Sequence, residues 1–207
     1  MTASPDVGEE QRERPVPTAR DSDDARLVER SRKEPDGFTG IYDRYFPVIH
    51  RYVASRLGPQ TADDLAAETF LVAFRKRARF DPARGTVRPW LFGIATNLVA
   101  QHRRAETRRY QALARTGADP ATESHENRVV SWVTAEGLQP QLARALAALS
   151  RDQRDIVLLV ALSDLSHEEV AQALCIPYGT VGSRLSRARR KLRAALDQFD
   201  QEVPTDE

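Results

Sequence analysis

Only three residues, Cys175, Ile176 and Pro177, separate "SHEEVAQAL" from "YGTVGSRLSRARRKL", and both flanking stretches carry apolar residues at helical spacing. Two helices joined so tightly must cross at a steep angle, which is the geometry of a helix-turn-helix. Ser166 with Glu169 forms a candidate capping box for the first helix. Val170, Ala171 and Leu174 supply its inner face, and the small Ala171 is expected to permit close helix approach. Val181, Leu185, Ala188 and Leu192 supply the inner face of the second helix, leaving Ser183, Arg184, Arg187 and Arg190 to point outward. Between Gly182 and Arg193 there are six bases and no acid. A second helix presented this way enters the DNA major groove, about 12 Å wide, where Arg meets guanine edges or phosphates and Ser or Thr sets register. The candidate contacts are Tyr178, Thr180, Ser183, Arg184, Ser186, Arg187 and Arg190. The competing reading is an ordinary helical hairpin with a basic face. The joint occurrence of cap, tight turn, Gly-Thr entry and acid-free face favours DNA.

The rest of the chain supplies a second block of apolar periodicity. Apolar clusters fall over about 41 to 100 and 138 to 196, divided by a polar stretch, and a 207-residue chain so divided reads as two small domains. The fold class expected is all-α, two small helical domains joined by a flexible linker, because no strand pattern competes anywhere. The expected boundaries are a disordered tail over 1–24, a first domain over 25–109, a linker over 110–138, a second domain over 139–196 and a short acidic tail over 197–207. Trp132 and Val133 are expected to anchor one short segment of the linker. A net charge of +1 hides an uneven distribution, with acids in the tails and bases clustered at 75–109 and 184–193. Such patches point to a polyanion partner.

Several classes are disfavoured. No apolar run approaches the roughly 18 residues that cross a membrane, and the N-terminus lacks the apolar core of a signal peptide, so a cytoplasmic protein without direct membrane insertion is expected. The single Cys175 excludes an internal disulfide, and His50, His102, His125 and His167 are too scattered for a metal motif. No Gly-rich phosphate loop or nucleophile elbow is present. Neither an enzyme, a cofactor, a metal nor a small-molecule substrate is expected.

Within the first block, apolar residues from Leu27 to Leu57 recur every three or four positions, and "LGPQ" breaks the pattern. Thr61 is a plausible N-cap for a helix over 62 to about 79, with Asp63 and Asp64 in its first turn, where acids favour the positive end of the dipole. After "DPARGTVRP" a further helix places Trp90, Leu91, Ile94, Ala95, Leu98 and Val99 on one stripe. Asn97, Gln101, Arg104 and Arg108 lie on the opposite one. In the second block periodicity resumes at Pro140, and Ser150 with Gln153 forms another candidate capping box.

Four motifs in order, "YDRYFPVIHRYVASRLG", "ADDLAAETFLVAFRKRARFD", "VRPWLFGIATNLVAQHRR" and "LSHEEVAQALCIPYGTVGSRLSRARRKL", resemble bacterial sigma factors of the extracytoplasmic-function (ECF) type within the sigma-70 family. The resemblance covers about 41–109 and 139–196. It implies a dissociable, non-catalytic promoter-specificity subunit of RNA polymerase. Its first domain, region 2, is a helical bundle that binds the polymerase clamp and opens the minus-ten element. Its second, region 4, reads the minus-thirty-five element through the helix-turn-helix, with the polymerase flap as a further contact. The resemblance places Asp63, Asp64, Leu65, Glu68, Thr69, Phe70 and Ala73 on the polymerase-binding helix, although Leu65 and one of Phe70 or Phe74 also read as core. It places Asn97 on an unstacked minus-ten base, where an amide both donates and accepts along a base edge. Gln101 and Arg104 extend that contact, Trp90 reads as either core or stacking platform, and Arg103, Arg104, Arg108 and Arg109 meet phosphates. An anti-sigma partner is plausible on the same ground.

Two departures stand out. Many members of the family have Gly where this chain has Cys175, which is tolerated provided the backbone there stays out of the left-handed region. Most have Lys or Arg after "GTV", where this chain has Gly182, removing a DNA contact and costing about 1 kcal/mol of helix stability relative to Ala. The alternative class is a helix-turn-helix regulator acting independently of the polymerase core. It needs a receiver or ligand domain that the first hundred residues do not resemble.

Overall fold

The computed structural model describes residues 18–115 and 140–202, and among them regular structure is helical throughout, without a strand. The N-terminal bundle comprises α1 (Ala19–Arg30), α2 (Thr39–Leu57), α3 (Pro59–Lys76) and α4 (Val87–Arg115), with short 3-10 turns at Pro35–Phe38 and Arg77–Arg79. The C-terminal bundle comprises α5 (Pro140–Ala147), α6 (Arg151–Ser163), α7 (His167–Leu174) and α8 (Tyr178–Glu202). Trp132 and Val133 lie outside the described residues.

Helix α1 takes in residues 19–24, which composition alone placed in the tail. Thr18 and Asp21 form a reciprocal capping box that starts it. Asp24 is buried and accepts a hydrogen bond from the Tyr45 hydroxyl while pairing with Arg44. A carboxylate so enclosed needs both partners, and together they dock α1 on α2. Burial and the adjacent carboxylate push the Tyr45 phenol well above its ordinary pKa.

Thr61 is not the cap of α3. Gly58, at φ 95°, ends α2 and precedes Pro59 at the first position of α3, so the helix starts earlier and Thr61 lies inside it. Glycine adopts that φ without steric cost, and Pro suits the first helical turn. The core between these helices is built from Ile41, Ile49, Tyr52 and Val53 of α2, Ala62, Ala66 and Phe70 of α3, and Leu91, Phe92, Ala95 and Val99 of α4. A polar thread through it is satisfied. The Thr96 hydroxyl donates to the Phe92 carbonyl at 2.8 Å, leaving its oxygen to accept from Tyr52, also at 2.8 Å. Helix α4 continues to Arg115, so 110–115 of the expected linker are helical.

In the C-terminal bundle both anticipated capping boxes form, Ser150 with Gln153 and Ser166 with Glu169. Arg154 clamps the end of α5 by donating to the carbonyls of Leu146, Ala147 and Leu149. Leu146, Leu149, Ile156, Leu159, Val170, Val181, Leu185 and Ala188 close one apolar core.

The two bundles are packed together. Helix α7 lies on α4, where a Cβ added at Gly93 would sit 2.5 Å from the Ala173 carbonyl oxygen. Glycine is therefore what lets these two helices approach so closely. Arg88 of α4 donates to the Ser163 carbonyl at the end of α6 and lies 3.8 Å from Glu169. Where α2 meets α6, Arg56 and Asp155 form an ion pair at 2.5 Å, both almost fully buried.

Candidate nucleic-acid interface

The turn between α7 and α8 is a Schellman closure. The Cys175 N–H bonds the Gln172 carbonyl at 3.2 Å and the Ile176 N–H bonds the Ala171 carbonyl at 3.0 Å. That closure requires a left-handed residue, and Cys175 sits at φ 53°, ψ 44°. The turn thus does not spare Cys175 the conformation in which glycine is preferred. Holding an L-residue there costs roughly 1–2 kcal/mol. The small residue at the helix contact is Ala173, which is buried, whereas Ala171 and Leu174 are half-exposed.

Helix α8 buries Val181, Leu185 and Ala188 and exposes Ser183, Ser186, Arg187, Arg189 and Arg190. Tyr178 is exposed at the entry of the helix, beside the His167 ring at 6.3 Å, and Thr180 is half-buried with its carbonyl accepting from the Ser183 hydroxyl. Arg184, expected to point freely outward, is half-buried and pairs with Asp152 in the first turn of α6 at 2.9 Å. An added Cβ at Gly182 would meet nothing within 4 Å. The position is open surface with no side chain on it.

On α4, Asn97, Gln101, Arg104 and Arg108 are all exposed along one stripe, as the helical spacing predicts. Gln101, Arg104 and Arg108 border a groove of about 550 Å³ whose other wall is Leu65 and Glu68 of α3. Trp90 is half-buried and packs on Phe80, ring centroids 5.0 Å apart, in a crevice that also includes Gln172 and Cys175. It therefore lies beside the helix-turn-helix rather than on the open stripe. Arg103 departs from the stripe too, donating to the Arg56 carbonyl at 2.7 Å against the C-terminal bundle. The Arg109 side chain lies outside the described residues.

On α3 the expected polymerase-binding set divides. Asp63, Asp64 and Glu68 are exposed, while Leu65, Thr69, Phe70 and Ala73 are buried in the bundle core. These four fall on the inward stripe that Ala62 and Ala66 begin, so they hold the helix in place. The exposed stripe adds Ala67 and Leu71, the latter 47% exposed. Both were legible from the four-residue spacing 63, 67, 71. His50 lies 3.0 Å from Asp63, and the exposed Tyr42 ring packs on Phe46 and Phe70, so acids and aromatics share this side.

Arg56 and Asp155 are the functional candidates that spacing did not single out, since they are a hundred residues apart in sequence. No group of acidic, His or Cys side chains suited to a metal occurs among the described residues, and none of their helices is long and apolar enough to cross a membrane.

Comparison with known proteins gives two family matches, "Sigma-70 region 2" over residues 41–109 and "Sigma-70, region 4" over 139–192. The chain is 34% identical to the ECF RNA polymerase sigma factor BldN of Streptomyces coelicolor, over 86% of this chain and 69% of that protein. It is 35% identical to the ECF RNA polymerase sigma factor SigC of Mycobacterium tuberculosis, over 73% of this chain and 79% of that one. Among solved structures it resembles the sigma factor RpoE of Bartonella quintana, crystallised with the anti-sigma factor NepR. That match has TM-score 0.58 and 26% identity, over 78% of this chain and 98% of that one. It also resembles CnrH in complex with the cytosolic domain of CnrY, with TM-score 0.60 and 25% identity, over 84% and 97%.

Proposed function

Because this chain belongs to the extracytoplasmic-function branch of the sigma-70 family, it binds core RNA polymerase and directs promoter-specific initiation, and we propose the surfaces through which it does so. The observation that carries the assignment is the ordered pair of regions, each with an exposed polar or basic helix face over an apolar core. The matched region 2 removes the reason to read the helix-turn-helix as an independent regulator.

In region 2, Asn97 captures an unstacked base of the minus-ten element, Gln101 follows it along the strand, and Arg104 and Arg108 neutralise phosphates. Trp90 joins this contact from its crevice once region 4 has moved away. In region 4, Tyr178, Thr180, Ser183, Ser186, Arg187 and Arg190 meet the minus-thirty-five duplex, and Arg184 joins them by exchanging Asp152 for DNA. Core polymerase is held by Asp63, Asp64 and Glu68 with the exposed Leu71 among them, a charged rim around an apolar contact. Leu65, Thr69, Phe70 and Ala73 position that surface from beneath.

The chain acts without a catalytic site of its own, in the cytoplasm where the polymerase works. The anti-sigma factor seated on the related RpoE supports a comparable protein partner here.

Run-off transcription with purified core enzyme on genomic fragments tests the reading. Core plus this protein should initiate at sites where core alone does not; initiation nowhere new would refute it. Asn97→Ala should then impair promoter opening with core binding intact, and lost core binding would contradict the role given to Asn97.

A further inference from the structure

The seam between the two bundles buries several polar side chains. Six buried side-chain polar atoms among the described residues lack a hydrogen-bond partner: Arg56 Nε, Thr86 Oγ1, Arg103 Nε, Asp155 Oδ1, Ser163 Oγ and Gln172 Oε1. All six belong to residues along this seam, and none comes from the apolar core of either bundle. Buried polar groups normally find partners, and each that does not costs about 1–3 kcal/mol. The seam thus contains groups better satisfied by something other than the opposite bundle.

Its centre is a cluster of guanidinium groups around one carboxylate. Arg56 lies 2.5 Å from Asp155 Oδ1 in a buried ion pair, while its Nε–H has no acceptor. Arg56 also donates a 3.3 Å hydrogen bond to the Tyr52 hydroxyl and lies over the Tyr52 ring, 5.9 Å from its centroid. Arg103 donates to the Arg56 carbonyl, and Arg151 lies 3.8 Å from the second Asp155 oxygen. Burial, with Arg56 and Arg154 adding repulsion, holds the Arg103 guanidinium down at about 10. Cation exceeds anion here, and two Nε–H donors have no acceptor.

We propose that Arg56 and Arg103 form an anion site on region 2 that takes a backbone phosphodiester of promoter DNA, and that Asp155 of region 4 is its internal plug while the domains are closed. The inference rests on the promoter-binding reading above, in which the resemblance already gives Arg103 a phosphate, and adds to it Arg56 and the competing Asp155. Guanidinium is the side chain suited to paired recognition of both carboxylate and phosphate. A phosphodiester carries the same single negative charge as Asp155 and offers two terminal oxygens. Exchanging one for the other conserves charge across the seam. Arg103 lies six positions beyond Asn97 on α4, about 9 Å along the helix axis and about 120° around it, so its side chain leaves the helix beside the Asn97 stripe and would meet the backbone of the strand that Asn97 engages, not its bases. Domain closure and occupancy by DNA then compete for the same two side chains.

The test uses the full chain alone and a labelled DNA duplex of arbitrary sequence, with affinity measured by fluorescence anisotropy across a salt series. Asp155→Asn should bind the duplex about three- to tenfold more tightly than wild type, because the competent open fraction rises. Arg103→Gln combined with Asp155→Asn should lose that gain and lower the slope of log affinity against log salt by about 0.9, the value of one phosphate contact. Arg56→Gln combined with Asp155→Asn removes both members of the buried ion pair, so neither is left facing a neutral partner, and should lower the slope by a similar amount, so the outcome does not depend on one variant folding well. Wild-type affinity and slope in Asp155→Asn, or slopes unmoved by removing either arginine, overturn the proposal. Initiation by wild-type protein on core polymerase is read separately, so failure of this site is distinguishable from failure of the sigma-factor assignment.

Discussion

Two residues of the helix-turn-helix, Cys175 and Gly182, each cost stability where they stand. Cys175 holds a left-handed conformation that the Schellman closure demands, so Cys175→Gly should relieve strain. Glycine also loosens the unfolded chain by about 0.4–1 kcal/mol, so the expected net gain is a few tenths to about 1 kcal/mol, read as a higher urea midpoint. A lower midpoint would mean that the thiol makes up the difference, through its contact with the Gln172 carbonyl at 3.7 Å. Gly182 faces open space, so Gly182→Arg should fit without displacement and strengthen α8 by somewhat under 1 kcal/mol. Tighter but unselective DNA binding would identify a phosphate contact there, and a changed promoter set a base contact. At this scale the sequence was most informative where chemistry is local. Ser150, Ser166 and the Asn97 stripe follow from residues within about three turns. Asp24 did not, because its burial depends on Arg44 and Tyr45 some twenty positions away.

At the scale of elements, helices and their exposed faces were legible from periodicity, but which helix packs on which was not. The start of α3 was misplaced because Gly58 and Pro59 join two helices at a single residue, where a Thr followed by acids looked like a cap. The α4–α7 contact was invisible for a different reason. It depends on Gly93 of one helix lying against a backbone carbonyl of another, eighty residues on. Gly93→Ala tests that contact directly, since its Cβ would fall 2.5 Å from the Ala173 oxygen and a carbonyl cannot rotate aside as a side chain can. Alanine also favours α4 by about 1 kcal/mol over glycine, so the N-terminal bundle should remain folded or gain stability while the seam loosens. Hydrogen exchange should report this as faster exchange in α7 with unchanged protection in α2 and α3. Equal loss of protection in both bundles would show Gly93 to be a core position instead.

For the whole molecule, the closed arrangement and the assigned function require different distances. Elements named for positions minus ten and minus thirty-five are about 25 base pairs apart, or about 85 Å at 3.4 Å per pair. Helix α7, one helix of the reader, lies against α4, the helix that carries Asn97. Both elements cannot be engaged from that arrangement. Residues 116–139, between the described parts, have a contour of at most about 85 Å at 3.3–3.6 Å per residue, which permits the separation. The polar composition of the seam suits a contact that parts. Its polar atoms are regained by water on opening, and Arg103, with its pKa lowered to about 10, is still charged at neutral pH and bears its desolvation cost only while closed. Raising the pH through 10 removes that proton from the closed form first and so favours closure; below 10 the cost is constant. Energy transfer between dyes at Asp43 and Ala194, both exposed, with Cys175 replaced by Ser, should therefore be high in the free chain. It should fall sharply in the complex with core polymerase and promoter DNA, and Gly93→Ala should lower it without either partner. Transfer that stays high in the full complex would mean that the bundles engage the promoter without parting, and the closed seam would then belong to the active form.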